Sequence, residues 1–503
     1  MNSLDGMLFG LSVATQSINL LAGLAGALLG TVIGVLPGLG PVAGVALILP
    51  LTYSVSPVTG LIALSGIFYG CMYGGSTTSV LLNIPGETAS VVTCLDGYQM
   101  AKKGRAGAAL TVMALGSFVA GTLSVIGVVL FAPILSNFAL SFGPAEFFAL
   151  TFVGLVVLSR VSSGSFARAL FTTSLGLLLA TMGMEQITAI NRFTFGILEL
   201  SHGVEIVPVA VGLFGISEVM FVVENLLGVP RAKTVKLREL LPSREEWRRT
   251  LPAWGRGSLL GFVMGFLPGP MNVLSTFASY RLEKAVSRHK DEFGKGAIEG
   301  VAGPEAANNA AATAQFVPLL SLGIPFSAIM ALLMAAMMIQ GIQPGPLLVI
   351  QHPEIFWGVI ASMYIGNVAL LVLNLPLVGV WVSMLRIPLH VLLPCIVLYA
   401  MIGSYSVRNT IFDLWVLVGF GVLGYFLRKL KFDLAPLILA IVLGPMIERY
   451  FRTALFLSRG NLGIFVASPI SKVLWGAGFL AVIGGVLLGG LRALGRRTRA
   501  PVG

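Results

Sequence analysis

Apolar runs long enough to cross about 30 Å of hydrocarbon recur along almost the whole chain, at roughly 17 to 36, 58 to 82, 108 to 132, 145 to 159, 166 to 183, 204 to 227, 316 to 340, 355 to 385, 388 to 407, 411 to 427 and 462 to 490. Only 11% of the residues are charged and 56% are hydrophobic, with a mean hydropathy of +0.92, whereas soluble domains carry about a quarter charged residues. The pattern predicts an all-α polytopic membrane protein of about 10–12 transmembrane helices. Shorter apolar pieces at 42 to 52, 257 to 280 and 434 to 447 are expected as half-helices or re-entrant hairpins.

The net charge of +11 comes from short Lys and Arg clusters between apolar runs, where the preference of basic residues for the cytoplasmic side accounts for them; no nucleic-acid partner is implied. No basic residue precedes Lys102, so a cleaved signal peptide with its positive leading region is not expected. Cys71, Cys94 and Cys395 sit in or beside apolar segments without metal-binding spacing and read as small hydrophobes.

Basic loops also divide the chain. The segment from Arg231 to Arg256 is the longest polar stretch and predicts a cytoplasmic linker at 228–256 between two halves, 1–227 and 257–503. Each half carries the same helix-breaking plan, Gly30-x-x-x-Gly34-x-x-Pro37-Gly38 and Gly261-x-x-x-Gly265-x-x-Pro268-Gly269. The loop after the first, from Tyr53 to Pro57, is uncharged, while the loop after the second holds Arg281, Lys284, Arg288, Lys290 and Lys295. One element later the charge changes sides again, with Lys102 to Arg105 in the first half and no Lys or Arg between Gly341 and Glu354 in the second. Equivalent loops on opposite sides predict two inverted repeats, an arrangement that places a transport site at the repeat interface. Beyond Lys431 the rule fails, because Arg449, Arg452 and Arg459 and the run Arg492 to Arg499 cannot all be cytoplasmic unless 434 to 447 is re-entrant.

Small-xxx-small spacing is also the ordinary mark of closely packed membrane helices, so the glycines alone do not make a site; the Pro-Gly that follows, in both halves, points to interrupted helices. A second interruption is expected at Tyr73-Gly-Gly-Ser-Thr-Thr-Ser79 with Asn83-Ile-Pro-Gly-Glu87, and at Gly303-Pro-Glu-Ala-Ala-Asn-Asn309 with Gly323-Ile-Pro325. Gly74, Gly75, Gly86, Pro85 and Pro325 would shape the backbone, and Ser76, Thr77, Thr78, Asn83, Asn308 and Asn309 would supply neutral donors and acceptors for an anion or a desolvated cation. Glu305, a carboxylate in an uncharged Ala- and Asn-rich stretch, has two readings. It is a coupling residue, or, in Gly-Pro304-Glu, the acid in the first turn of a helix; Glu87 has the same ambiguity. Walker A, HExxH, paired aspartate and K⁺-filter sequences are all missing, which leaves a secondary transporter ahead of a membrane-embedded enzyme on a lipid-soluble substrate or a passive anion channel.

At Leu36-Pro-Gly-Leu-Gly-Pro41, Tyr73-Gly-Gly-Ser76, Leu82-Asn-Ile-Pro-Gly-Glu87, Gly300-Val-Ala-Gly-Pro-Glu-Ala-Ala-Asn-Asn-Ala310 and Leu322-Gly-Ile-Pro325 the chain resembles the large membrane subunit of the bacterial tripartite tricarboxylate transporters, over nearly its whole length. The resemblance implies an inner-membrane, multi-pass transporter, not an enzyme, that takes up a carboxylate with a Na⁺ or H⁺ gradient as the coupling ion and no other cofactor. It implies two partners, a periplasmic solute-binding protein and a small membrane subunit of about four helices. Site residues implied at matching positions are Pro37, Gly38, Gly74, Gly75, Asn83, Pro85, Gly86, Pro304, Glu305, Asn308, Asn309 and Pro325, with a Na⁺ expected near Asn83, Glu305 and Asn309. Two departures lie in the second half: Phe326 where the family has Gly after Ile-Pro, and Pro270-Met271 after Pro268-Gly269. Substrate choice is expected to lie on that altered side.

Overall fold

The structure, a computed structural model, describes residues 2–36, 39–162, 165–185, 189–224, 241–384 and 389–497. The candidate residues Pro37 and Gly38, and positions 228–240 of the expected linker, lie outside the described residues. The fold is 80% helical, and eight helices among the described residues are long and apolar enough to span a membrane.

In chain order the helices are α1 (Ser3–Ala14), α2 (Ser17–Val35), α3 (Pro41–Ile48), α4 (Pro57–Leu82), α5 (Val91–Lys102), α6 (Ala106–Ala139), α7 (Pro144–Val161), α8 (Phe166–Ala180), α9 (Ile206–Ala210) and α10 (Ser217–Glu224). They continue with α11 (Arg244–Gly265), α12 (Met271–Val286), α13 (Glu299–Ala314), α14 (Phe316–Leu322), α15 (Ala328–Ile339), α16 (Leu348–Gln351), α17 (Pro353–Asn374), α18 (Val378–Met384), α19 (Leu389–Arg408), α20 (Ile411–Lys429), α21 (Ala435–Leu457) and α22 (Pro469–Arg497). Proline opens α3, α4, α7 and α17, where its missing N–H costs no helical bond. A π-helical turn at Val211–Ile216 joins α9 to α10 into one span. The N-terminus of α11 is a capping box: Ser243 Oγ accepts from the Glu246 N–H at 3.3 Å and Glu246 accepts from the Ser243 N–H at 2.7 Å. Residues 244–256, read above as linker, are therefore the first part of a helix.

The chain forms two compact units, one of 1–140 with 205–426 and the other of 141–204 with 427–503. In the first unit the same packing occurs twice. A Cβ on Gly30 or Gly34 of α2 would lie 2.3 or 2.4 Å from the carbonyl oxygens of Ile67 and Cys71 in α4, and one on Gly261 or Gly265 of α11 would lie 2.2 or 2.6 Å from those of Ala307 and Ala311 in α13. The duplicated glycines are thus points of backbone contact between helices, and the breaks follow them. Helix α5 packs on α13, and α15 on α4, so each half lends a helix to the other. The buried Asp96 of α5 accepts from the backbone N–H groups of Gly294, Gly296 and Ala297 at 2.7 to 2.9 Å and from the Tyr280 hydroxyl at 2.9 Å. At the tip of α15, Gln340 Nε2 donates to the Thr52 carbonyl at 2.9 Å.

Several expectations are corrected. Tyr73 to Ser79 does not interrupt a helix; it lies within α4, where the hydroxyls of Thr77, Thr78 and Ser79 bond back to carbonyls three or four residues earlier. Gly303-Pro304-Glu305 neither interrupts nor starts a helix, because α13 begins at Glu299 and runs through Pro304. Proline there removes one bond, to the Gly300 carbonyl, without ending the helix. The helical assignment is interrupted at Gln315, between α13 and α14, where Pro318 cannot bond to Ala314. The true terminations are Asn83 and Gly323, both left-handed caps (φ 59° and 68°) ahead of Ile-Pro.

In the second unit α7, α21, the turn at Leu462–Val466 and α22 meet in an aromatic cluster in which Phe148 contacts Phe451, Phe465 and Trp475. Helix α21 starts beside the α7–α8 connection, where Ser162 Oγ meets Asp433 at 2.5 Å, and reaches the two-stranded hairpin Gly183–Met184 and Asn191–Arg192 at Glu448. It is one uninterrupted helix, so the half-helix expected at 434 to 447 is not formed.

Candidate buried carboxylate site

Helix α13 is buried along its full length, and its composition explains why: Ala and Gly let five neighbouring helices, α4, α5, α6, α11 and α12, approach, and the polar residues cluster on the turns that carry Glu305, Asn308 and Asn309. Glu305 is 1% exposed. Its carboxylate accepts from Ser76 Oγ at 2.9 and 3.0 Å, Ser117 Oγ at 3.1 Å, Asn309 Nδ2 at 3.2 Å and Thr93 Oγ1 at 3.3 Å. These donors come from α4, α6, α13 and α5, so both halves of the sequence contribute. Asn309 Nδ2 is itself shared with Ser117 Oγ at 2.8 Å. A buried carboxylate costs several kcal/mol unless it is hydrogen-bonded or paired, and here the compensation comes from neutral hydroxyls and an amide rather than from Lys or Arg.

A second carboxylate adjoins it. Gly86 N–H donates to the Gly75 carbonyl at 3.2 Å, and a Cβ on Gly86 would sit 2.4 Å from Gly75 Cα. This close approach folds the Pro85–Glu87 turn back on α4 and buries Glu87, which accepts from Asn308 Nδ2 at 2.6 Å. Asn308 Oδ1 is buried with no hydrogen-bond partner. The arrangement therefore holds two carboxylates, three hydroxyl oxygens and one open amide oxygen, a set whose chemistry suits a proton or a small hard cation better than a bare anion.

Other candidates lie elsewhere. Gly74 faces α2, with its Cβ position 2.4 Å from the Thr31 carbonyl oxygen, and Thr77 and Thr78 satisfy their own helix. Asn83 is exposed and ends α4, whereas Glu305 and Asn309 are buried. In the second half Gly269 (φ 130°) donates to the Phe326 carbonyl at 3.0 Å. The two departures from the family pattern, Pro270-Met271 and Phe326, are thus joined in one structure; Phe326 and Pro325 are buried, and Pro268 is partly so. The Tyr73 hydroxyl donates to Asn367 Oδ1 at 2.8 Å. Thr93 and Ser117 were not marked by sequence. Each is an isolated polar residue in an apolar run, a pattern shared with ordinary helix contacts; only their meeting at one carboxylate distinguishes them.

A family model described as the tripartite tricarboxylate transporter TctA family matches residues 20–439. The chain belongs to this family. It is 47% identical over 487 residues to a protein of Agrobacterium vitis described as an uncharacterized 52.8 kDa protein in the TAR-I ttuC' 3' region, covering 96% of each chain. A second protein of the same organism, described as uncharacterized and in the TAR-II ttuC' 3' region, is 52% identical over 223 residues, 44% of this chain and 92% of that one. No solved structure matches. As a TctA-family chain it is a multi-pass membrane subunit of a tripartite transporter, and the buried network is embedded in that machinery.

Proposed function

We propose that this chain imports a small organic carboxylate by secondary active transport, receiving it from a periplasmic binding protein and working with a small membrane subunit in the bacterial inner membrane. Glu305, supported by Glu87, is the coupling-cation site, taking Na⁺ or H⁺, with the carboxylate held nearby by the Ile-Pro turns of both halves. The observation that carries this reading is a fully buried carboxylate solvated by neutral donors from both halves. Such a group changes its bonding when a cation arrives or leaves, which is what coupling requires.

The halves are read as inverted repeats with the basic loops in the cytoplasm. Supporting this, Lys103 Nζ meets the Lys295 carbonyl at 2.6 Å, Arg105 pairs with Glu246, and Arg249 pairs with Glu292 and Glu299 at 2.6 Å. The first half's loop after α5 is thus gathered with the second half's loop after α12, while Thr52 and Gln340 join the two uncharged connections. Exchange between non-equivalent loops is what inversion predicts.

The test is uptake of a labelled tricarboxylate into proteoliposomes containing the chain and its small subunit, with the binding protein added outside and Na⁺ and pH gradients imposed separately. Glu305→Gln is expected to lower gradient-driven uptake at least tenfold while the purified protein stays monodisperse. Wild-type uptake with unchanged cation dependence would overturn the assignment.

A further inference from the structure

The second unit holds a cavity of about 200 Å³, remote in sequence from the Glu305 network. It lies where the hairpin and the turn at Leu198–His202 fold over the later part of α21, and its wall is apolar at Leu179, Ile441 and Pro445. Its charged lining is Arg192, Arg449, Arg452, Glu185 and Glu448. Arg192 grips Glu448 with two bonds of 2.9 and 3.0 Å, and Arg452 bridges Glu448 at 2.9 Å and Glu185 at 3.5 Å. Arg449 has no ion-pair partner among the described residues and is exposed. Three arginines against two glutamates leave one positive charge in excess, and that charge is the unengaged guanidinium. Arg449 and Arg452 stand three residues apart, on one face of the helix.

We propose that this cavity binds a small di- or tricarboxylate, with Arg449 as its principal partner and Arg452 as a second donor. A guanidinium presents paired donors that match a carboxylate. The volume is below that of sites for drug-sized ligands, which selects a compact anion. Within this unit the connection between Arg160 and Arg168 lies at the start of α8, and the cavity lies at its end, about 22 Å away at 1.5 Å per residue. With that basic connection in the cytoplasm the cavity opens on the periplasmic side, where substrate arrives. The location also accounts for Arg449 and Arg452 breaking the charge rule: they are held there by function and by Glu185 and Glu448. This inference rests on the orientation and substrate class proposed above.

The experiment uses the full chain in right-side-out vesicles. In a Cys395→Ser background the remaining Cys71 and Cys94 are buried, so a membrane-impermeant maleimide reports on His202→Cys at the cavity rim. Labelling from outside is expected, slowed at least fivefold by citrate, and the citrate concentration needed should rise at least tenfold when Arg449→Gln is added. Arg449→Lys should retain part of the protection. Absence of protection by citrate, equal protection by inorganic phosphate, protection unaffected by Arg449→Gln, or labelling only in inside-out vesicles would each overturn the proposal. Measuring uptake in parallel separates the two readings: lost uptake in Glu305→Gln with intact protection leaves the cavity standing, and missing protection with normal uptake removes the cavity alone.

Discussion

Asn83 and Asn309 looked equivalent in sequence and differ completely in place. Asn309 bridges Glu305 and Ser117, so Asn309→Ala should lower uptake about tenfold or more, since it strips a donor worth about 1.5–3 kcal/mol from a buried charge; uptake at the wild-type rate would show that the network tolerates a missing member. Asn83 occupies a left-handed cap, a conformation that costs most L-residues about 1–2 kcal/mol and glycine almost nothing. Asn83→Gly is therefore expected to transport normally, and Asn83→Val to lower thermal stability in detergent, as read by a melting scan. The sequence made Glu305 conspicuous because no other charge lies within its stretch. It could not show that Ser76, Thr93 and Ser117 converge on it, since convergence depends on how three other helices are rotated, and a hydroxyl in an apolar run satisfies its own helix just as well.

For helices, the legible part was the grammar of ends. Proline at first positions and Asn83-Ile-Pro and Gly323-Ile-Pro at stops were visible as residue types with fixed backbone consequences. Less legible was whether a run of Gly, Ser and Thr breaks a helix or packs it, because both uses call for small residues; in α4 and α13 packing prevails. Substitution distinguishes the two. Gly30→Ala and Gly261→Ala put a methyl within 2.3 and 2.2 Å of a facing carbonyl oxygen, whereas a Cβ on Gly40 meets nothing within 4 Å. The first two should each cost about 1–3 kcal/mol or more from overpacking and shift the protein toward aggregates on size exclusion, while Gly40→Ala remains monodisperse. If Gly30→Ala and Gly261→Ala also elute as wild type, the helices are not in the contact described.

For the whole molecule, the charge pattern makes a prediction that a labelling map can check. Single cysteines replacing Tyr53 and Leu347 should react with an impermeant reagent from outside, and those replacing Lys103 and Lys290 only after the membrane is opened. Any pair labelling together across the two sets would end the inverted-repeat reading. The exchange of α5 and α15 between halves has a further consequence, in time rather than space. The carboxylate of Asp96 is completed by amides 198 to 201 residues later in the chain. At about 5–20 residues per second of synthesis, it waits on the order of 10–40 s in a nascent membrane protein before its partners exist. During that interval the first half is a substrate for membrane quality control, and a ribosome stalled before Gly294 leaves a product that cannot mature.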